Sequence, residues 1–508
     1  GSSKGGGGEC VMHDAAIPAT IEPDDCVVRR EEEEGKGVIN DASIPESIEH
    51  GESYPCVKLA SVSSLRSRCG IIQRTIPRGG LDISRSDLVF ATLRFLYHNV
   101  LKNSYDRRER IMASISSMCS LNPSQIAVGS SVRSLFHLYL SAKSYPPGSE
   151  VVISPPIEIP TMIDVLKYHG ISVRSVDIPP DGKIQVDIST VQKSISKDTV
   201  ALMIVHPFGL QSISPENLQS LCEWARSKRI DVWEDSAECF SSTHEMSASL
   251  SSSRCCVPDI CLYSFGMMKT STALGGGIAI VKDEFVRSKM ERLERRWMTA
   301  SEWDYGRKII VAWVLTILGS SPWIVGLIVR CCTLFGMDYD SMVTSSLRNY
   351  KVKVTTDRDA ACKELIRQIE KRPCTTLLAT LCRRLGQSKR DNKAVFRRLA
   401  RCELVSRLVS QHCPNVSLPC YDSCQKNGYW LFPVFVPDSR DEVSKRLLSY
   451  GFDVPHGASQ LRCTGTTGVD HGIDGSAVDK SSYCPRANAI MKNVLYLPVS
   501  SLEMTEYD

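Results

Sequence analysis

Residues 259–281, DICLYSFGMMKTSTALGGGIAIV, place a lone lysine between two strand-like segments. The apolar residues at 260–265 predict one buried strand, and residues 278–281 predict a second. Between them lie Lys269 and the glycines at 275–277, which let the backbone approach a bulky group closely. An amine withdrawn from water is more readily neutral, and a neutral amine can attack a carbonyl carbon to form a Schiff base. The stretch therefore indicates either a carbonyl-binding lysine or a hairpin with a solvated one.

A second stretch, IDVWEDSAE at residues 230–238, ends a short apolar segment in two carboxylates, Glu234 and Asp235. The carboxyl ends of parallel strands are where α/β enzymes place their chemistry. An enzyme that uses pyridoxal phosphate (PLP) needs a lysine for the aldehyde and a carboxylate for the pyridinium nitrogen. Lys269 and Asp235 are the predicted pair.

The two stretches resemble the DegT/DnrJ/StrS family of PLP-dependent nucleotide-sugar aminotransferases. In SFGMMK a serine stands five residues before the lysine, as in that family's lysine loop, and VWEDSAE resembles its aspartate strand. Similar segments occur in the family's order: PGSEVVIS, HGISVRSVDI, DTVALMIVHPFG, GGGIAIVKDE and CPRANAIMKNVLYLPVSSLEMTEYD. The resemblance covers roughly residues 75–300 and 372–508. It implies an α/β protein of fold type I, with a mostly parallel sheet in a large domain and a small α+β C-terminal domain.

By position, the resemblance implies a set of cofactor-binding residues: Ser130, Ser131, Val132, Ile159, His206, Asp235, Glu238, Ser264 and Lys269. Lys269 and Asp235 would be catalytic, whereas Ser131, Ser264 and the amides around Val132 would bind the phosphate. Val132 stands where the family has a threonine.

Other positions also depart from the family. Ile159 stands where the family has an aromatic residue that stacks on the cofactor, and Glu238 where it has glutamine or histidine. His206 matches a family histidine, but a hydrogen-bonded structural histidine is an equal interpretation. The family's asparagine that reaches the neighbouring subunit's phosphate is replaced in EKRPC, at residues 370–374, where Arg372 alone fits the family pattern.

The composition narrows the functional class. The chain has 508 residues, a net charge of +4 and an isoelectric point near 8.2, which predicts no nucleic-acid partner. The 21 cysteines are odd in number and include adjacent residues such as Cys255 and Cys256, which suits reduced thiols in a cytosol-facing protein. Cys420 and Cys424 lack a second pair at zinc-binding spacing, so no metal site is expected.

The pattern along the chain predicts four parts. Residues 1–60 are rich in Gly, Glu and Pro and predict a disordered tail. Strands alternating with helices in residues 61–300 predict the PLP-binding large domain. Residues 301–340 form a hydrophobic membrane-docking insertion, and residues 341–508 a helical segment followed by the small C-terminal domain.

Residues 309–329, IIVAWVLTILGSSPWIVGLIV, carry no charge and are flanked by basic residues. The run is long enough to cross a bilayer, but GSSP interrupts it, and Pro322 would kink or end a helix. It indicates a hairpin that enters one leaflet, a kinked spanning helix, or a helix pair buried between subunits. We expect residues 309–337 to dock on membrane lipid from the cytosolic side, because a span would put parts of one domain on opposite sides.

Two hypotheses for function follow. In the first, the chain is a PLP-dependent aminotransferase that uses Lys269 to transfer an amino group from glutamate or a similar donor to a keto sugar or similar carbonyl, as a homodimer at a membrane. In the second, the chain is a catalytically silent membrane-associated scaffold of the same fold that acts through protein partners. The departures at Val132, at Ile159 and in EKRPC favour the second.

Overall fold

The structure is a computed structural model that describes residues 74–78, 80–100, 105–248, 257–337, 339, 342, 358–390, 393–418, 428, 431–436, 440–454, 460–465 and 483–498. The predicted tail at residues 1–60 lies outside the described residues, as does most of the segment at residues 338–357 that follows the apolar run.

The strands of the described chain are β1 Ile126–Gly129, β2 Glu150–Ser154, β3 Ile157–Glu158, β4 Ser172–Ser175, β5 Thr199–Val205, β6 Asp231–Asp235, β7 Ile260–Ser264, β8 Gly277–Val281, β9 Met298–Thr299, β10 Lys371–Arg372, β11 Phe432–Phe435, β12 Arg462–Cys463 and β13 Val494–Leu497. Seven of them form one sheet in the order β1-β8-β7-β6-β5-β2-β4. Its neighbours pair in parallel except that β8 runs antiparallel to both β1 and β7. The predicted mostly parallel sheet is therefore confirmed.

The helices of the described chain are α1 Arg85–Val100, α2 Tyr105–Met118, α3 Val132–Lys143, α4 Pro160–Tyr168, α5 Ile188–Lys193, α6 Pro215–Ser227, α7 Thr243–Ala248, α8 Glu284–Glu294, α9 Glu302–Gly319, α10 Pro322–Leu334, α11 Arg358–Ile369, α12 Thr375–Arg390, α13 Lys393–His412, α14 Arg440–Ser449 and α15 Pro485–Asn493.

Helices cover both faces of the sheet. Alternate residues of a strand point to opposite faces, so Met203 of β5 packs in one core with α3 and α4, and Leu202 packs in another with α6. At the β1-β8-β7 end, the second face packs against α1, α2, α9 and α12. Because both faces of the sheet are buried, the sequences of these strands are continuous runs of apolar residues.

A small α+β unit completes the described chain. Strands β11 and β13 pair antiparallel, and α15 packs beside them in a separate core. Strand β12, which precedes α15, pairs antiparallel with β3. This pairing draws β3 out of the main sheet and toward the C-terminal unit.

The apolar run forms α9 and α10. The chain breaks at Ser320–Ser321, and Pro322 begins α10, where its missing N–H has no helical partner to lose. Within the described residues, no single helix is long and apolar enough to cross a membrane, although α9 and α10 together meet that criterion with a bend of 100° between them. Ile309 and Ala312 of α9 and Val325 of α10 are buried, so one side of the pair packs against the protein.

Candidate active site

Asp235 and Ser264 lie at the same edge of the sheet. Asp235 ends β6 and pairs with Leu262 of β7, while Ser264 ends β7 two residues later. Across β8, Ser264 is level with Gly277 and then with Gly129, the last residue of β1. The carboxyl ends of β1, β6 and β7 thus face one cleft, as expected for an open α/β sheet.

Lys269 lies in a tight loop between β7 and β8. Its amide donates to the carbonyl of Gly266 at 3.0 Å, and the Thr272 hydroxyl donates to the same carbonyl at 2.7 Å. The Thr270 hydroxyl, one residue after the lysine, donates to the Phe240 carbonyl at 2.8 Å. These bonds fix the loop, and they hold Lys269 at the sheet edge that carries Asp235.

Glu238 forms an ion pair with Lys269. The lysine Nζ donates to Glu238 Oε1 at 2.5 Å. The other carboxylate oxygen, Oε2, accepts from the backbone amide of Phe208 at 2.7 Å. Phe208 adopts a positive φ of 62°, a costly backbone conformation for a large residue, and this points its amide at the carboxylate. Both oxygens of Glu238 are therefore engaged, and the lysine amine has a fixed position.

Asp235 is buried and shares its surroundings with a second carboxyl group, that of Glu158. Burial raises the pKa of Asp235, and the charge of Glu238 adds to the rise, whereas the Lys269 ammonium opposes it. Burial also raises the pKa of Glu158 well above its usual range, with Asp235 as the next largest cause. Asp235 Oδ1 accepts from the Ala237 amide at 2.9 Å, which holds the carboxylate in place.

The N-terminus of α3 forms a second part of the site. Ser131 caps the helix and accepts from the Ser134 amide at 3.2 Å, and the Ser130 hydroxyl lies 2.8 Å from that of Ser134. A Cβ on Gly277 would come within 2.8 Å of the Val132 nitrogen, so only glycine lets β8 pass this close. The first amides of a helix lack intrahelical partners and attract anions. The Ser264–Gly277–Gly129 row joins this cradle to the cleft.

Two further predicted cofactor-binding residues, His206 and Ile159, have contacts that do not involve Lys269 or Asp235 among those described above. The His206 ring is buried, with Nε2 3.1 Å from Glu234 Oε1 and Nδ1 3.0 Å from Ser212 Oγ, so both nitrogens are bound away from Lys269. Ile159 is half-buried and starts α4, directly after Glu158. Its cover of a ring and the role of His206 stay predictions.

Sequence reasoning missed Glu158. Its Oε1 accepts from the Ile159 amide at 2.6 Å, while Oε2 is buried and makes no hydrogen bond within the described part of the chain. The sequence gives little sign of its role, because a glutamate next to Ile159, the predicted cofactor-covering residue, is expected to be exposed to solvent. It becomes visible only once β3 pairs with β12, some 300 residues later in the chain.

Comparison with known proteins agrees with this geometry. Residues 93–312 match the DegT/DnrJ/EryC1/StrS aminotransferase family. A stretch of 148 residues is 29% identical to GDP-perosamine synthase from Escherichia coli O157:H7, and it spans 29% of this chain and 38% of that enzyme's length.

Solved structures share the fold. The sugar aminotransferase CalS13 from Micromonospora echinospora superimposes with a TM-score of 0.53 at 16% identity, over 85% of this chain and 96% of that one. DesI, solved with its TDP-sugar product, gives 0.53 at 14% identity over 86% and 90%. The PLP form of Spr1654 from Streptococcus pneumoniae gives 0.56 at 15% identity over 85% and 95%.

The described chain therefore has the α/β fold of these sugar aminotransferases, and residues 93–312 are similar to the DegT/DnrJ/EryC1/StrS aminotransferase family.

Proposed function

We propose that this chain is a PLP-dependent aminotransferase that transfers an amino group from glutamate or a similar donor to a keto sugar carried on a nucleotide. The observation that carries the proposal is the convergence of Lys269, Asp235 and the α3 N-terminus at one edge of the sheet. The family match supports the reaction class. A nucleotide sugar is supported by the names of the relatives, a GDP-perosamine synthase and an enzyme solved with a TDP-sugar product.

The residues present fit PLP. The glycine at 277 keeps a side chain away from the amide end of α3 beside Ser264, and such free helix amides attract a phosphate. The buried Asp235 supplies the carboxylate for the pyridine nitrogen, and Lys269 supplies the amine. When bound, PLP forms a Schiff base with a lysine and withdraws electrons from the substrate carbon.

Side chains of this chain would hold and transfer the protons of the reaction. Asp235 would hold a proton on the cofactor nitrogen, because a cation placed against it would reverse the rise in pKa that burial causes. Glu238 Oε1, which accepts a hydrogen bond from Lys269 Nζ, would hold the lysine amine in place to move a proton to and from the substrate carbon. Burial raises the pKa of Glu158 beside Asp235, which disfavours a second negative charge in the cleft.

We further propose that the enzyme works at a cytosol-facing membrane surface. Large apolar side chains on the outer side of α9 and α10 are exposed, among them Ile310 at 64%, Trp323 at 57% and Phe335 at 77%. Soluble monomers rarely expose an apolar patch of this kind. The exposed Arg307 and Arg330 on the same helices suit anionic headgroups. This placement would bring the cleft to a lipid-linked or membrane-delivered substrate.

The proposed function is tested by trapping the cofactor on its lysine. The full chain, purified in mild detergent and incubated with PLP, is reduced with borohydride, and the modified lysine is located by mass spectrometry. We expect near-stoichiometric label on Lys269 and a loss of at least about 100-fold in transamination for Lys269→Ala, since the variant lacks the amine that would form the Schiff base. Lys282→Ala is the matched control, because Lys282 pairs with Asp259 away from the cleft.

Label on another lysine in the Lys269→Ala protein would refute the assignment. A wild-type protein that traps no PLP at all would refute the enzyme and favour the silent scaffold of the same fold.

A further inference from the structure

Lys308 reaches the active-site edge of the sheet from α9. Its Nζ lies 3.4 Å from the position that a Cβ on Gly275 would occupy. Gly275 stands two residues before Gly277, the first residue of β8, which is level with Ser264 and Gly129. The helix that carries the exposed apolar face therefore also places a cation beside the phosphate cradle.

A second cation, Arg133, is near enough to Lys308 for its charge to act on the ammonium. Arg133 is the second residue of α3, and its Nη1 lies 3.3 Å from Thr161 Oγ1. Burial lowers the pKa of Lys308, and the Arg133 guanidinium lowers it further, whereas Cys374 and Asp304 oppose the shift. Like charges held together in a half-buried place repel each other unless an anion lies near them.

The Lys308 ammonium makes no hydrogen bond or ion pair with any residue that the structure describes. Its neighbour Arg307 differs, since that side chain is 81% exposed and pairs with Asp304. Lys308 thus combines burial, proximity to Gly275 and an available donor group, which are the properties of an anion ligand.

We propose that Lys308, with Arg133 beside it, binds the phosphate group of the cofactor from within the same chain. The inference rests on the proposed function, because it needs PLP as the ligand. Val132 has no hydroxyl to offer the phosphate, and EKRPC lacks the asparagine that a neighbouring subunit would supply. A cation from α9 replaces part of that lost binding.

The cofactor phosphate is favoured over a substrate diphosphate by position. Gly276, next to Gly275, donates its amide to the Ser130 carbonyl at 3.0 Å, so the ammonium lies close to the turn that precedes α3. Serines 130 and 131 and the amide of Val132 form that turn. An anion bound there would contact the helix amides and Lys308 together.

The test compares PLP with pyridoxal, which lacks only the phosphate. Affinities of the detergent-purified full chain for both are measured by the visible absorbance of the bound cofactor. We expect Lys308→Gln to weaken PLP by about 10- to 100-fold, the range for a lost charge-assisted hydrogen bond, and to leave pyridoxal unchanged. Arg307→Gln, one residue away on the exposed side of α9, should alter neither affinity.

A second readout uses the unmodified protein. Lysine acetylation is followed by mass spectrometry with inorganic phosphate, with PLP, or with a nucleoside diphosphate added to PLP-loaded protein. Phosphate and PLP should slow the acetylation of Lys308 but not that of Lys282.

The inference would be overturned if Lys308→Gln lost PLP and pyridoxal binding equally. It would also be overturned if phosphate left the acetylation of Lys308 unchanged. Protection by the nucleoside diphosphate alone would contradict it too, because that result would assign Lys308 to substrate binding. Failure of the wild type to bind PLP would instead refute the proposed function.

Discussion

At the scale of single residues, a pair of histidines links α3 to α4 behind the phosphate cradle. His137 Nδ1 lies 2.9 Å from His169 Nε2, and His137 Nε2 lies 3.2 Å from Glu370 Oε1. The pKa of each histidine is lowered to about 4, by burial in both cases and also by the neighbouring His137 in the case of His169. Two imidazoles that share one hydrogen bond cannot both carry a proton without strong repulsion, so the folded protein keeps this pair neutral near pH 7.

This pair should make stability depend on pH. Unfolded histidines bind protons below about pH 6.5, whereas the folded pair resists until about pH 4. The free energy of unfolding should therefore be highest above pH 6.5 and fall as the pH is lowered to 4, by about 2–3 kcal/mol for the buried His137. Denaturant unfolding measured across this pH range should show that the free energy of unfolding falls less steeply with falling pH in His137→Gln/His169→Gln than in the wild type. An unchanged slope would contradict the prediction, and the exposed His412→Gln is the control.

At the scale of elements, α9 and α10 have two different sides. The inner side carries buried residues such as Tyr305, whose hydroxyl donates to the Ala273 carbonyl at 2.8 Å in the Lys269 loop. The outer side carries the exposed apolar residues. The 100° bend gives two short arms rather than one spanning rod, which suits docking on one leaflet. Because the same helices contact the lysine loop, anything that displaces α9 would disturb the active site.

Docking by these helices predicts binding to lipid vesicles. Ile317→Ser/Trp323→Ser/Phe335→Ser should lower vesicle affinity on the order of 10³-fold, since each large apolar side chain contributes about 1.5–3 kcal/mol when buried. The affinity is measured by flotation with phosphatidylcholine vesicles that contain or lack phosphatidylserine. The exposed residues Phe285 and Leu404 lie on other helices and Tyr450 directly follows α14, and the change of all three to serine is the matched control.

Equal flotation of both triple variants would refute docking. A drop in oligomer mass for the first variant, without any vesicle binding by the wild type, would identify the face as a subunit interface.

At the scale of the whole molecule, the sequence pattern predicts those parts of the fold and site that are formed by neighbouring residues of the chain. Apolar runs that alternate with helices predict the parallel sheet, and Asp235 at the end of one run and Lys269 in the loop after another are visible in the sequence. Glu158 and Lys308 could not be found in this way. Their surroundings are created by contacts between distant segments, β3 with β12 and α9 with Gly275. The resemblance identifies only positions that the family shares, whereas in the sequence Lys308 is one of the basic residues that flank the apolar run.

The last prediction concerns assembly. We expect a homodimer, because sites of this family lie between subunits, and because Arg372, in the segment that would face the partner, has a buried Nε with no hydrogen bond among the described residues. Light scattering in mild detergent should give twice the 56.3 kDa mass of one chain. If Lys308 serves the phosphate from within the chain, dilution that separates the dimer should leave PLP affinity within about threefold, unlike a site that needs a partner's asparagine. A fully active 56.3 kDa monomer at all concentrations would contradict the dimer, and release of PLP on dissociation would contradict the role of Lys308.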